Sequence, residues 1–130
     1  MAIAYPLTLN PTSYGGANED KIFTIVDFGN SKVVSRVTGD MPTVDNTMTI
    51  SHAESKVSGV TVDRHLVRLD LTETDTELGK VTASVYFVAA IPRGQTAITD
   101  QELLNLKGRL LALLQGSGNW DAILGGELLG

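Results

Sequence analysis

Residues 81–91, Val-Thr-Ala-Ser-Val-Tyr-Phe-Val-Ala-Ala-Ile, hold neither a charge nor a proline. Their β-branched and aromatic content marks a strand. Exposed sheet edges normally carry charges, bulges or cover, because naked edges pair with other chains. This strand is therefore either central in its sheet or an edge reserved for a partner. It is the last strand of the chain, so one partner at hand is its own twofold mate, which would make one sheet continuous across a dimer.

The residues before it supply the rest of a sheet. Alternation and β-branched residues mark strands at Pro6–Thr12, Lys21–Phe28, Lys32–Thr38, Thr47–Ala53 and Val62–Thr72, with the last at Lys80–Ile91. Turn chemistry separates them at Tyr14-Gly-Gly-Ala17, Gly29-Asn30, Gly39-Asp-Met-Pro42, Ser58-Gly59 and Asp75–Gly79. A turn centred between Ser58 and Gly59 fixes one register: Ile50 faces Val67, Met48 faces Leu69, and His52 faces His65. The opposite face then sets Thr47, Thr49 and Ser51 against Asp70, Arg68 and Leu66. One side is apolar and the other polar, as in an antiparallel sheet covered on one face.

The chain ends in helix. Thr99-Asp-Gln-Glu102 is a capping box, with Ile98 and Leu103 placed as its hydrophobic staple. The pattern predicts a helix running to about Gln115 and stopping at Gly116, then a short one from Asn119 to Leu124. Leu103, Leu104, Leu106, Leu110, Leu111, Leu113 and Leu114 occupy about half of the long helix's circumference, wider than the ~100° stripe of a helix lying on a single sheet. Such an arc implies burial against two surfaces, one of them on another chain; a monomer with a thick core is the plainer alternative. Trp120 is expected to anchor the short helix in a core or interface.

The fold class is thus α+β: an N-terminal β-hairpin, an antiparallel sheet and two C-terminal helices, all in one domain over residues 1–130. The composition fits a globular chain, 42% hydrophobic and 19% charged, and with no cysteine there is no disulfide or thiolate metal site. The first residues lack the basic and apolar regions of a secretory signal, and no apolar run approaches a membrane span. We therefore expect a soluble protein with no membrane partner. The net charge of −5 argues mildly against nucleic acid, though a local basic face can sit on an acidic protein.

Signs of catalysis are few. His52 and His65 lie outside any ligand spacing and are expected to form a hydrogen-bonded structural pair on the core side. No Gly-x-Ser-x-Gly elbow or phosphate loop occurs, so no enzyme, no cofactor and no metal site are expected. Glu73, Asp75 and Glu77 read as a solvated acidic loop. The polar face is more suggestive. Arg64, Leu66, Arg68, Asp70 and Thr72 alternate onto it from one strand, and Thr82, Ser84, Tyr86 and Val88 from the next. Guanidinium groups, hydroxyls and one aromatic suit unpaired RNA.

This order of elements resembles the coat protein of the leviviruses, the small single-stranded RNA bacteriophages. Thr49-Ile-Ser-His52, then Arg64-His-Leu-Val-Arg-Leu-Asp70, is similar to the family's central hairpin, and Val81–Pro92 to its last strand with the hydrophobic–proline step before the long helix. The resemblance spans essentially the whole chain. It implies an interlocked dimer with a continuous ten-stranded sheet, each helix lying on the partner's sheet, and assembly of dimers into an icosahedral shell. The loop at Thr72–Lys80 would meet its copies around the symmetry axes. It also implies single-stranded viral RNA as partner, with a hairpin held on the inner face to repress translation and mark the genome. Carried onto matching positions, the RNA-binding residues are Thr49, Ser51, Arg64, Arg68, Asp70, Ser84 and Tyr86. The protein would be made in the bacterial host cytoplasm and reside in the virion. Position 53 is alanine where some relatives carry arginine, so this face is less basic than theirs. The competing readings are a small homodimeric α+β ligand-binding domain or enzyme, and a stand-alone RNA-binding regulator.

Overall fold

The computed structural model describes residues 2–39 and 43–126. Six antiparallel strands form one sheet in sequence order: β1 (Leu7–Leu9), β2 (Lys21–Phe28), β3 (Lys32–Val37), β4 (Val44–Val57), β5 (Val60–Asp75) and β6 (Gly79–Pro92). Helices α1 (Asp100–Gln115) and α2 (Asn119–Leu124) follow.

The β4–β5 hairpin has the expected register, with Ile50 opposite Val67, Met48 opposite Leu69 and Thr49 opposite Arg68. Its turn explains why. Ser58 and Gly59 both take positive φ, 51° and 80°, as a two-residue type I′ turn requires, and its twist matches that of the strands. The pairing extends beyond the expected ends, to Val44↔Glu73 and Val57↔Val60. At the N-terminus the difference runs the other way. The first strand is three residues long, because Thr12–Tyr14 turns into a short 3-10 helix closed by Gly15 at φ 88°. Asn10 starts that turn: its side-chain oxygen accepts from the Thr12 amide at 2.9 Å. The N-terminal hairpin is therefore an open one, with Leu7 opposite Phe23 and Leu9 opposite Lys21. The turn expected at Gly39-Asp-Met-Pro42 falls mostly outside the described residues.

Helix α1 begins on the expected box. Thr99 Oγ1 accepts from the Glu102 amide at 3.2 Å while the Glu102 carboxylate accepts from the Thr99 amide. Its backbone leaves the helix at Gly116, where ψ is 142°. The residue has φ −57°, which needs no glycine, but a Cβ there would collide with the Asn119 side chain. That side chain donates to Leu113 O at 2.9 Å, a carbonyl that the Gly116 amide also meets, at 3.3 Å.

The core is small and lies at one end. Phe23, Val37 and Met48 are buried together, with Tyr5, Leu7 and Ile50 packed against them. Among the described residues neither helix has a buried residue, and neither lies along a strand of its own chain. Leu104, Leu106 and Leu113 are each more than half exposed. Strand β6 is the sheet's edge rather than its centre, and residues 79–88 are exposed throughout. The total accessible surface is 10023 Å², against roughly 6600 Å² for a compact monomer of this mass. The chain alone leaves a large apolar surface uncovered.

Candidate nucleic-acid interface

Helix α1 follows β6 and its far end reaches the Pro11–Gly16 loop, where Gln115 Nε2 donates to Ser13 O at 3.2 Å, and register sorts the sheet's side chains onto two unlike faces. The apolar face carries Met48, Ile50, Val67, Leu69, Val85 and Phe87 through paired positions of β4, β5 and β6. At its far end His52 and His65 sit opposite each other, as expected, with their Nδ1 atoms 2.7 Å apart and rings nearly perpendicular. One step nearer the turn, Arg93 Nη2 donates to Asp63 Oδ1 at 2.7 Å and also to the Glu54 carboxylate. The hydrogen bond from Arg93 holds the Asp63 carboxyl below the usual 3.8, and the two carboxylates raise Arg93.

The polar face brings together all seven residues expected there. Thr49 pairs with Arg68 and Ser51 with Leu66 across β4–β5, while Arg64, Arg68 and Asp70 pair with Ala90, Tyr86 and Ser84 across β5–β6. Three of the seven form a hydrogen-bonded unit, with a fourth beside it. Arg68 Nε donates to Asp70 Oδ1 at 2.9 Å, and its Nη2 donates to Ser84 Oγ at 3.1 Å. The Ser84 hydroxyl in turn donates to Asp70 Oδ1, closing the ring. The Arg68 guanidinium lies 5.8 Å from the centre of the Tyr86 ring, within cation–π range. Ser84 first, and Arg68 second, hold the Asp70 carboxyl below its usual value. Hydrogen bonding to Asp70 raises Arg68. Next along the face, the hydroxyls of Thr72 and Thr82 share a 2.8 Å hydrogen bond.

Three further cations share this side and were not among the expected residues. Lys32 pairs with Ser51, Arg36 with Thr47, and Lys80 with Thr74. Alternation carried one strand beyond the central hairpin would have found the first two. Arg36 is bonded to Asp45 at 2.9 Å. A bulge between Ile25 and Asp27 sets Asp27 against Val34 on the same side. The face thus holds Lys32, Arg36, Arg64, Arg68 and Lys80 against Asp27, Asp45 and Asp70. An acidic chain presents a mildly basic sheet face, and the acids collect elsewhere, at Glu19, Asp20, Glu54, Asp63, Glu73, Glu77, Asp100 and Glu102.

A separate cleft of about 630 Å³ lies between the Pro11–Gly16 loop and the end of α1, walled by Tyr14, Leu111, Leu114 and Trp120. Neither histidine lines it; its one ionisable carboxylate is Asp121. Among the described residues no three His, Cys, Asp or Glu side chains group as a metal site. In the hairpin loop Asp75 Oδ1 accepts from the amides of Glu77 at 2.8 Å and Leu78 at 2.9 Å, which keeps its carboxyl below the usual range. That carboxylate is a turn cap.

The fold is that of levi-like phage coat proteins. It superimposes on the virus-like particle of Beihai levi-like virus 21 with a TM-score of 0.65 at 12% identity, covering 95% of each chain. The virus-like particle of bacteriophage AVE019 gives 0.64 at 10% identity, covering 95% of this chain and 96% of that one. The protein capsid of bacteriophage GA gives 0.56 at 15% identity, covering 97% and 98%. No family model and no curated protein sequence matches the chain.

Proposed function

We propose that this chain is a leviviral coat protein, with a structural rather than catalytic role, built into the capsid of a virion. The observation that carries the reading is the bare surface. The protomer exposes about 3400 Å² more than a compact chain of its mass, with exposed apolar side chains along β6 and α1. Two β6 edges joined about a twofold axis satisfy each other's open backbone groups. The join gives a sheet of ten strands of six residues or more, with a three-residue β1 added at each margin. Each α1 then lays its leucines over the partner's exposed Leu69, Val85 and Phe87. Obligate dimers bury 2,000–5,000 Å² or more in total, in apolar interfaces of this kind.

Dimers so formed present one continuous polar face, and that face meets single-stranded RNA inside the shell. Arg64, with no carboxylate partner among the described residues, offers a phosphate contact. Thr49, Ser51 and Ser84 offer hydroxyls, Tyr86, 62% exposed, offers a ring for an unpaired base, and Arg68 and Asp70 frame that ring. A few weak phosphate contacts per dimer, repeated around a shell, hold a genome with strong salt dependence. On the same reading one RNA hairpin binds this face as translational repressor and packaging signal.

Expression of the chain alone, followed by size exclusion and negative-stain electron microscopy of the lysate, tests this. Uniform closed particles containing host RNA are expected. A stable dimer that never assembles, even with RNA added, would overturn the shell.

A further inference from the structure

Resting on the RNA reading above, we infer that Asp70 is a built-in counter-ion that withholds Arg68 from RNA phosphates and so sets how tightly, and how indiscriminately, this face binds single strands. The geometry is a closed ring. Arg68 spends Nε on Asp70 and Nη2 on Ser84, and Ser84 returns its own hydrogen to the same carboxylate oxygen. The guanidinium is thereby pinned along the sheet beside Tyr86. The Asp70 side chain is only 19% exposed, against 46% for Arg68, so the anion is set into the sheet with the cation over it.

Salt dependence counts the phosphates that net positive charge neutralises. A guanidinium bonded to a carboxylate has no net charge to contribute, and a phosphate approaching it meets the carboxylate well inside a screening length of about 8 Å at physiological ionic strength. Arg64, two repeats back along the same strand and without such a partner among the described residues, keeps its charge. The face is therefore graded: a neutral, rigid centre at Arg68–Asp70–Ser84–Tyr86, with cations toward its margins. Such a centre rewards a base that fits the ring over a phosphate that merely arrives. Removing the Asp70 charge frees Arg68 and converts the centre into a general polyanion contact.

The test measures binding of a fluorescent 20-nucleotide oligo(U) to the full chain, below the concentration at which particles form, across monovalent salt. Asp70→Asn should steepen the slope of log K against log salt by about 0.7 per chain and tighten binding at 0.1 M salt by about fivefold. In an Arg68→Gln background the same change should lose most of that gain. Asp70→Ser, which removes the same charge with a smaller side chain, should reproduce the steeper slope, and it keeps the test open where Asp70→Asn fails to fold. Binding by the parent chain with an unchanged slope in D70N overturns the inference and leaves the RNA reading standing. So does a D70N gain that persists undiminished without Arg68, since Asp70 would then act by its own charge alone. No binding by the parent even at 20 mM salt overturns the RNA reading itself.

Discussion

Nδ1 of His52 lies 2.7 Å from Nδ1 of His65, across the β4–β5 ladder on the face that the protomer's own helices leave uncovered. A hydrogen bond between two like nitrogens works only when one carries the hydrogen and the other does not. Long-range ¹H–¹⁵N NMR at neutral pH should therefore show one ring protonated on Nδ1 and the other bare there. Matching tautomers in both rings would refute the shared bond. Replacing either histidine by alanine should lower unfolding free energy by about 1 kcal/mol, read from a denaturant midpoint at constant m-value.

Arg93 bridges Glu54 and Asp63 at the end of the hairpin. Because its hydrogen bond lowers the Asp63 pKa in the folded chain, the associated stability is fully present above the unfolded value near 3.8 and is lost as pH falls through the folded one. Arg93→Gln should lower Tm slightly at pH 7, where two carboxylates are left facing each other. The difference from the parent should close as pH falls below 3.8. A Tm difference that stays constant down to pH 2 would mean the arginine acts through packing.

Leu106 and Leu113 are among the most exposed leucines of α1, at 57% and 53%. Burying a leucine is worth about 1.5–3 kcal/mol, and an aspartate in its place adds the cost of burying a charge. Leu106→Asp and Leu113→Asp should each abolish particles and shift the chain to monomer or aggregate in size exclusion. Unchanged particle yield would place these leucines outside the interface.

Val85 stands on the β6 edge, within its uncharged residues 81–91, and is 52% exposed. A lysine there is the device by which natural edges refuse partners. Val85→Lys should weaken dimerisation strongly, seen as a concentration-dependent shift in sedimentation. It should leave the β4–β5 register intact, since Val85 pairs inward with Leu69 on a strand already fixed by its turn.

Much of this fold was legible because its strongest signals are local. Ser58-Gly59 sets the central register within two residues, and the Thr99–Glu102 box starts α1 within four. Strand length was less legible. Period-2 alternation fades before Val57 and Asp75, yet the ladder continues, because backbone pairing proceeds wherever the partner strand does. The shortening of β1 depends on Asn10 capping a turn, a side-chain choice that competes with the ladder. Within the site, the seven expected residues share a face because alternation is arithmetic. Their bonding is another matter. Nothing in sequence says that Arg68 selects Asp70 and Ser84, and Arg93 finds Asp63 thirty positions away through the sheet alone. The edge position of β6 was one of two readings until strand order settled it.

The small core around Phe23, Val37 and Met48 gives maturation a reaction order. On the dimer reading, most of the apolar face is completed only by collision with a second chain, so the step that makes the protein stable is bimolecular. Its half-time shortens as chains accumulate, and its equilibrium depends on protomer concentration. Early in synthesis, open chains outnumber finished ones; later, each new chain closes almost as soon as it appears. On that reading the bare sheet works as a clock that reads how much of this protein has been made.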